Sequence, residues 1–208
     1  MNQHAPVIRK GRKFHQVLDG ARKVFMSDGF EGASVDDIAK VAGVSKATLY
    51  SYFPDKRLLF LEVANAECQR QAQTAIEMVN TDAPPRDVLT AAGRHFLTFI
   101  TSSLGQQIFR TFVAESGRFP EVGRQFYLTG PNVMREELVD YIRMAADRGE
   151  LEISDPYIAA DQFAELCKSE VWIRRLLGVI DEVPQEDIFR IIDEAVETFL
   201  ARYGATPA

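Results

Sequence analysis

Between Ser34 and Lys56 the chain reads Ser-Val-Asp-Asp-Ile-Ala-Lys-Val-Ala-Gly-Val-Ser-Lys-Ala-Thr-Leu-Tyr-Ser-Tyr-Phe-Pro-Asp-Lys. Its polar side chains are hydroxyls, phenols, ammonium groups and the carboxylates of Asp36, Asp37 and Asp55, which suit hydrogen bonding and charge recognition. At 100° per residue on a helix opened by Ser45, Leu49 and Phe53 point to one side, while Ala47, Thr48, Tyr50 and Ser51 cover the other and Lys46 flanks it. A small, hydroxylated, basic surface of this kind suits the DNA major groove. Ala47 and the Thr48 methyl can meet a thymine methyl, the Thr48 and Ser51 hydroxyls can bond base edges or phosphate, and Lys46 can reach guanine acceptors. Ser34, Tyr50, Tyr52 and Lys56 are placed for phosphates, as is the basic arm Arg9, Lys10, Arg12 and Lys13, which can also follow a groove.

Positioning these side chains requires a helix, a tight turn and a second helix. Ser34 and Asp37 form an S-x-x-D start, and Val35, Ile38, Ala39 and Ala42 supply the buried side of the first short helix, residues 35 to 42. Gly43 permits the positive φ that the turn needs, Val44 plugs the angle, and Ser45 caps the next helix, residues 45 to 52. Ahead of them Phe14, Leu18, Ala21 and Phe25 form one stripe of a helix expected to stop near Gly29. The spacing therefore predicts a three-helix helix-turn-helix domain over residues 1–54. The rest, residues 55–208, is punctuated by Pro with helical apolar spacing between, so the fold class is all-α. Helices are expected at about 55 to 80, with Leu59, Val63 and Ala66 inward, then 86 to 103, 105 to 117, 120 to 129, 132 to 148, 155 to 179 and 185 to 203.

Charge divides along the same line. The formal net charge is −6, but the first 60 residues carry ten basic against six acidic groups, and the remainder fourteen against twenty-four. A basic front suits a polyanion and an acidic body repels it elsewhere; chance clustering is the bland alternative. Cys68 and Cys167 are too far apart in sequence to suggest a metal motif or a disulfide framework. The 15 uncharged residues 95–109 are too few and too polar to span a bilayer, and no apolar stretch follows the early basic residues, so a cytoplasmic protein without membrane attachment is expected. His4, His15 and His95 form no H-x-x-x-H pair, and G-x-S-x-G and phosphate-cradling glycine loops are missing. No enzyme activity, metal or cofactor is expected.

The segment resembles the tetracycline-repressor (TetR) family of bacterial transcription regulators over residues 10 to 60. The likeness rests on Val24-Phe25 with Gly29-Phe30, Ser34-Val35-Asp36-Asp37-Ile38-Ala39, Ala42-Gly43-Val44-Ser45-Lys46, Thr48-Leu49-Tyr50, Tyr52-Phe53 and Lys56. The resemblance implies a homodimer on a near-palindromic double-stranded DNA operator, with a C-terminal helical ligand-binding and dimerisation domain. Ser34, Lys46, Thr48, Tyr50, Tyr52 and Lys56 match positions where that family commonly touches DNA. Ala47 stands where Gly or Pro is frequent, and Gly20 where Ala is usual. A second likeness, to the AefR-like C-terminal domain, rests on Phe109-Arg110, Glu115-Ser116, Arg118-Phe119-Pro120, Phe126-Tyr127, Gly149-Glu150-Leu151 and Ala159-Ala160-Asp161-Gln162-Phe163. The TetR resemblance implies a repressor released by a small effector; a ligand-responsive activator and a helical small-molecule binder without repressor role are the alternatives.

In the body, His95, Phe96, Phe99, Phe109, Phe112, Phe163, Cys167 and Trp172 are candidates to line an effector cavity, with His95, Gln106 or Glu115 as orienting polar groups. Plain core packing is the competing explanation for each aromatic. The scarcity of charge in residues 95–109 favours an apolar effector. The last two helices carry more apolar residues than one core-facing stripe needs, which predicts a dimer seam including Phe163, Val171, Leu176, Leu177, Ile188, Ile192 and Phe199. Burial of these residues against their own chain is the alternative, and Trp172 can belong to either set.

Overall fold

The computed structural model describes residues 11–78 and 81–205, and the basic-arm residues Arg9 and Lys10 lie outside them. The described chain is all-α: α1 (Arg12–Gly32), α2 (Val35–Ala42), α3 (Lys46–Tyr52), α4 (Lys56–Met78), α5 (Pro85–Thr101), α6 (Ser103–Ser116), α7 (Pro120–Thr129), α8 (Pro131–Asp147), α9 (Pro156–Lys168), α10 (Trp172–Leu176) and α11 (Gln185–Tyr203). It packs as two compact units that meet between Glu67 and Cys68, inside α4, where the sequence pattern divides the chain at 54/55. The early turns of α4 bury Leu59, Phe60, Val63 and Ala64, whereas Ala66 is exposed. Phe60 meets both Phe25 and Phe30 at 5.0 Å between ring centroids. Glu67, only 2% exposed, binds Arg22 of α1 at 2.7 Å.

Within the first unit, α1 follows its apolar stripe, burying Phe14, Val17, Gly20, Ala21, Val24 and Phe25. The helical path breaks at Gly29 (φ 73°, ψ 175°), and one further turn reaches Gly32. Gly20, the departure from the usual Ala, sits where α1 crosses α2. A Cβ there would lie 2.6 Å from the Ala42 Cβ and 2.7 Å from the Ala42 main chain. Helix propensity would prefer Ala at position 20, but this close approach leaves no room for it.

The second unit is built around α11, whose Ile191, Ile192, Val196 and Phe199 pack in one core with Leu89 and Leu97 of α5, Val139 and Ile142 of α8, and Phe163 of α9. The chain end is fastened by main-chain bonds from Glu152 to Tyr203 and from Ala205 to Glu150. This core corrects the expected seam. Phe163, Val171, Ile188, Ile192 and Phe199 are all buried within their own chain and so offer no side-chain surface to a partner. The apolar stripe of α11 is consumed by α5 and α9, which pack along it. Only Leu176, half-buried, and Leu177, 70% exposed, remain available from that set. Ile173 and Val179 are exposed beside them in sequence, at 56% and 65%.

A second correction concerns the single helix expected over 155–179. Asp155 does start it, accepting from the N–H groups of Tyr157 and Ile158, with Pro156 at the first helical position. The helix then ends at Lys168, and Glu170 takes a left-handed φ of 68° before α10 resumes. A non-glycine residue there costs on the order of 1–2 kcal/mol, so contacts elsewhere must hold the break in place. Arg110 supplies two, donating to the Arg175 carbonyl at 3.2 Å and the Leu176 carbonyl at 2.6 Å. Arg175 adds a third, to the Thr101 carbonyl at 3.1 Å.

Candidate functional site

The helix-turn-helix forms through local capping. Ser34 accepts from the Asp37 N–H at 3.0 Å while its hydroxyl donates to the Asp37 carboxylate, closing the start of α2. Gly43 ends α2 in the left-handed region (φ 65°, ψ 34°), and the Val44 N–H reaches the Ala39 carbonyl at 3.0 Å. Ser45 then caps α3, accepting from the Thr48 N–H at 3.1 Å. Leu49 and Phe53 are buried, and the Phe14 ring stands 5.5 Å from Phe53 and 5.8 Å from Tyr52, anchoring α3 on α1.

The opposite side of α3 faces solvent. Ser45, Lys46, Ala47, Tyr50 and Ser51 are exposed, with Thr48 and Tyr52 partly so, and Arg12 and Lys13 are exposed at the start of α1. The hydroxyls are held locally: Ser51 donates to the Thr48 carbonyl at 2.6 Å, and the Ser45 and Thr48 oxygens lie 2.9 Å apart. Lys46 pairs with Asp36 at 2.8 Å, and the hydrogen bond and charge of that carboxylate raise the pKa of the ammonium. Because the pair is exposed and screened, exchanging Asp36 for a phosphate costs little. Lys56 has a structural task that its sequence position did not reveal. Its ammonium donates to the carbonyls of Ala33 at 3.1 Å and Glu31 at 3.4 Å, and it sits 4.7 Å from the Phe30 ring centre. One of its three donors is left over for phosphate.

The second unit contains a cavity of about 480 Å³ whose walls are chiefly apolar. It gathers six of the eight predicted residues: His95, Phe96, Phe99, Phe109, Phe163 and Trp172. Trp172 packs edge-on against Phe109 at 5.0 Å. The other two are corrected. Phe112 stands behind the wall, stacked 4.2 Å from Phe126, which does line it. Cys167 is buried in the core beside Gly93 and Ile192, where lack of solvation pushes its thiol up to about 12. Gln106 and Glu115 do not line the cavity either; the buried Gln106 amide donates to the Ile100 carbonyl at 2.8 Å.

Phe126, Met134, Leu138 and Tyr141 add to the walls from α7 and α8, and sequence periodicity gave no sign of them. The charged groups on the walls include two ion pairs. Arg135 grips Asp161 with two bonds of 2.7 and 2.8 Å, which holds the Asp161 carboxyl below its usual range. Lys168 pairs with Glu165 at 2.6 Å. Among the described residues no group of three or more His, Cys, Asp or Glu is arranged to hold a metal, and no helix is long and apolar enough to cross a membrane.

Comparison with known proteins agrees with this two-part layout. Residues 17–63 match bacterial regulatory proteins of the tetR family, and residues 87–205 match the C-terminal domain of AefR-like transcriptional repressors. A putative TetR-family transcriptional regulator from Mesorhizobium loti superposes with a TM-score of 0.83 at 26% identity, over 93% of this chain and 98% of that one. The flavonoid-responsive regulator FrrA is 33% identical, with a TM-score of 0.68 over 95% of this chain and all of that one. Among curated relatives, the transcriptional repressor AcnR of Corynebacterium efficiens is 37% identical over 62 residues, 30% of this chain. The transcriptional activator FasR of Mycolicibacterium smegmatis is 35% identical over 99 residues, 48% of this chain. The matched stretch spans a third of that AcnR and 45% of that FasR.

Proposed function

The chain belongs to the tetR family of bacterial transcription regulators, and we propose that it acts as a repressor released from its operator by a small, largely apolar effector. The observation that carries this reading is the exposed face of α3, on which Lys46, Ala47, Thr48, Tyr50 and Ser51 stand out from a helix-turn-helix closed by its own caps. Ser34, Ser45, Tyr52, Lys56 and the arm Arg9, Lys10, Arg12 and Lys13 add phosphate contacts that fix register. Two copies related by a two-fold axis place two such helices about one DNA turn apart, which calls for a near-palindromic operator in the cytoplasm. Leu177, with Ile173, Leu176 and Val179, is the surface we assign to that dimer.

The cavity of the second unit is the proposed effector site. An effector that binds one spacing of the two helices better than the other shifts the population by its difference in affinity. The element that begins at the phosphate-facing Lys56 and runs to the cavity wall is α4, which makes it the natural link. The flavonoid response in the description of FrrA supports flat aromatic molecules as the first effectors to try. A ligand-responsive activator is the second reading, favoured by the similarity to FasR.

A footprint on the DNA upstream of the protein's own coding region, repeated with a panel of neutral aromatic compounds, tests the proposal. Two protected half-sites, lost on adding one of the compounds, are expected. Protection of no sequence over any other would sink the DNA-reading role, and protection indifferent to every compound would sink the effector role.

A further inference from the structure

We infer that His95 is the polar reader of the cavity. Its Nδ1 accepts a hydrogen bond from an uncharged hydroxyl or N–H group on an aromatic occupant, so that the cavity selects neutral donor-bearing molecules over organic anions. The inference rests on the reading of this cavity as the effector site and deepens it.

The ring fixes its own tautomer. Nε2 lies 3.1 Å from the main-chain carbonyl of Gln71 in α4, and a carbonyl oxygen can only accept, so Nε2 carries the proton. In the neutral ring Nδ1 then holds a lone pair and is the nitrogen left for an occupant. The ring is half-buried and forms part of the wall, beside Phe96 and Phe99.

Three further polar features of the walls point the same way. Arg135 already binds both oxygens of Asp161, and Lys168 is held by Glu165. The Tyr141 hydroxyl donates to the Ala83 carbonyl at 3.2 Å. An incoming carboxylate would meet two cations whose charge is already balanced by Asp161 and Glu165 and would bring a second anion beside each pair, whereas a hydroxyl meets an acceptor that nothing has to vacate. The reader is also attached to the link: the atom that fixes the His95 tautomer belongs to α4.

Trp172 is the chain's single tryptophan and lies in the cavity wall, so its fluorescence reports occupancy. The test titrates 4-hydroxybiphenyl, 4-methoxybiphenyl and biphenyl-4-carboxylate into the intact protein and into His95→Phe. The natural protein is expected to bind the hydroxyl compound about tenfold more tightly than the methyl ether, the size of one net hydrogen bond, and the carboxylate most weakly. In His95→Phe the ratio of hydroxyl to methyl-ether affinity is expected to fall to within about twofold. If His95→Phe loses its helical signal, His95→Met removes the acceptor in its place. Saturable binding with a hydroxyl preference that survives the loss of His95, or with the carboxylate tightest, overturns the assignment and leaves the cavity an effector site. No saturable change with any of the three overturns both.

Discussion

In the first unit the side chains we assign to DNA find most of their partners close by in sequence, the bond of Lys56 to the Ala33 carbonyl excepted. Ser34 bonds Asp37, Ser45 bonds the Thr48 N–H, and Lys46 pairs with Asp36 ten residues away. In the second unit Arg135 reaches Asp161 and His95 reaches Gln71 across the cavity wall, and Arg110 reaches Leu176 beyond it, while Lys168 stays with Glu165 three residues away. The local set makes a stiff element whose outer face stays free for exchange with phosphates. The distant set ties helices together and leaves a chamber whose Arg135 and Lys168 are already paired. One region leaves Arg12, Lys13 and Lys46 exposed, and in the other the cations of the cavity wall are paired with carboxylates.

That contrast can be broken most forcefully at α3. Lys46→Ala combined with Tyr50→Ala is expected to lower operator affinity about thirtyfold or more, given roughly 1–3 kcal/mol per good contact, while mass and melting point stay unchanged. Comparable affinity in a gel shift would show that another surface reads the DNA. Next in size is Leu177→Arg, which places a charge on the proposed dimer surface; light scattering should report monomers with weakened DNA binding. A dimer of unchanged stability would move the interface elsewhere.

Gly20→Ala sharpens the comparison within the first unit. Helix propensity alone would gain up to about 1 kcal/mol, but a Cβ at 2.6 Å from Ala42 forces α1 and α2 apart, for which about 1–3 kcal/mol is typical. A net loss of stability is expected in chemical denaturation, and a more stable variant would refute the steric account. The smallest effect belongs to the cavity rim. Arg135 depresses the Asp161 pKa, so the pair's contribution is present above the ordinary Asp range and is lost as pH falls through the folded value. Asp161→Asn should therefore melt slightly earlier at neutral pH, with the difference vanishing in acid. A gap that grows on acidification would contradict this sign.

How much could be read from the sequence follows the same division. The limits of α2 and α3 were legible because Ser34, Gly43 and Ser45 signal caps and a left-handed turn within a few residues. The break after α9 was not, since Lys168-Ser169-Glu170-Val171 contains neither Gly nor Pro; Glu170 takes its positive φ where its carboxylate meets Arg190 of α11, a contact distant in sequence. Six cavity residues were recognisable as aromatic or polar positions on helices, but Met134, Leu138 and Tyr141 enter through the packing of α8, which periodicity does not reveal. The same limit misassigned Ile188, Ile192 and Phe199, because an apolar stripe does not say whether its neighbour is the same chain or another.

The central claim, that the outer face of α3 reads duplex sequence, is tested most directly by fluorescence anisotropy of a labelled upstream fragment and a scrambled one across a salt series. The account predicts preferential binding of the upstream fragment, affinity that falls steeply with salt, and loss of the preference in the Lys46→Ala, Tyr50→Ala double variant. Equal affinity for both fragments, or a preference that survives the double substitution, would contradict it.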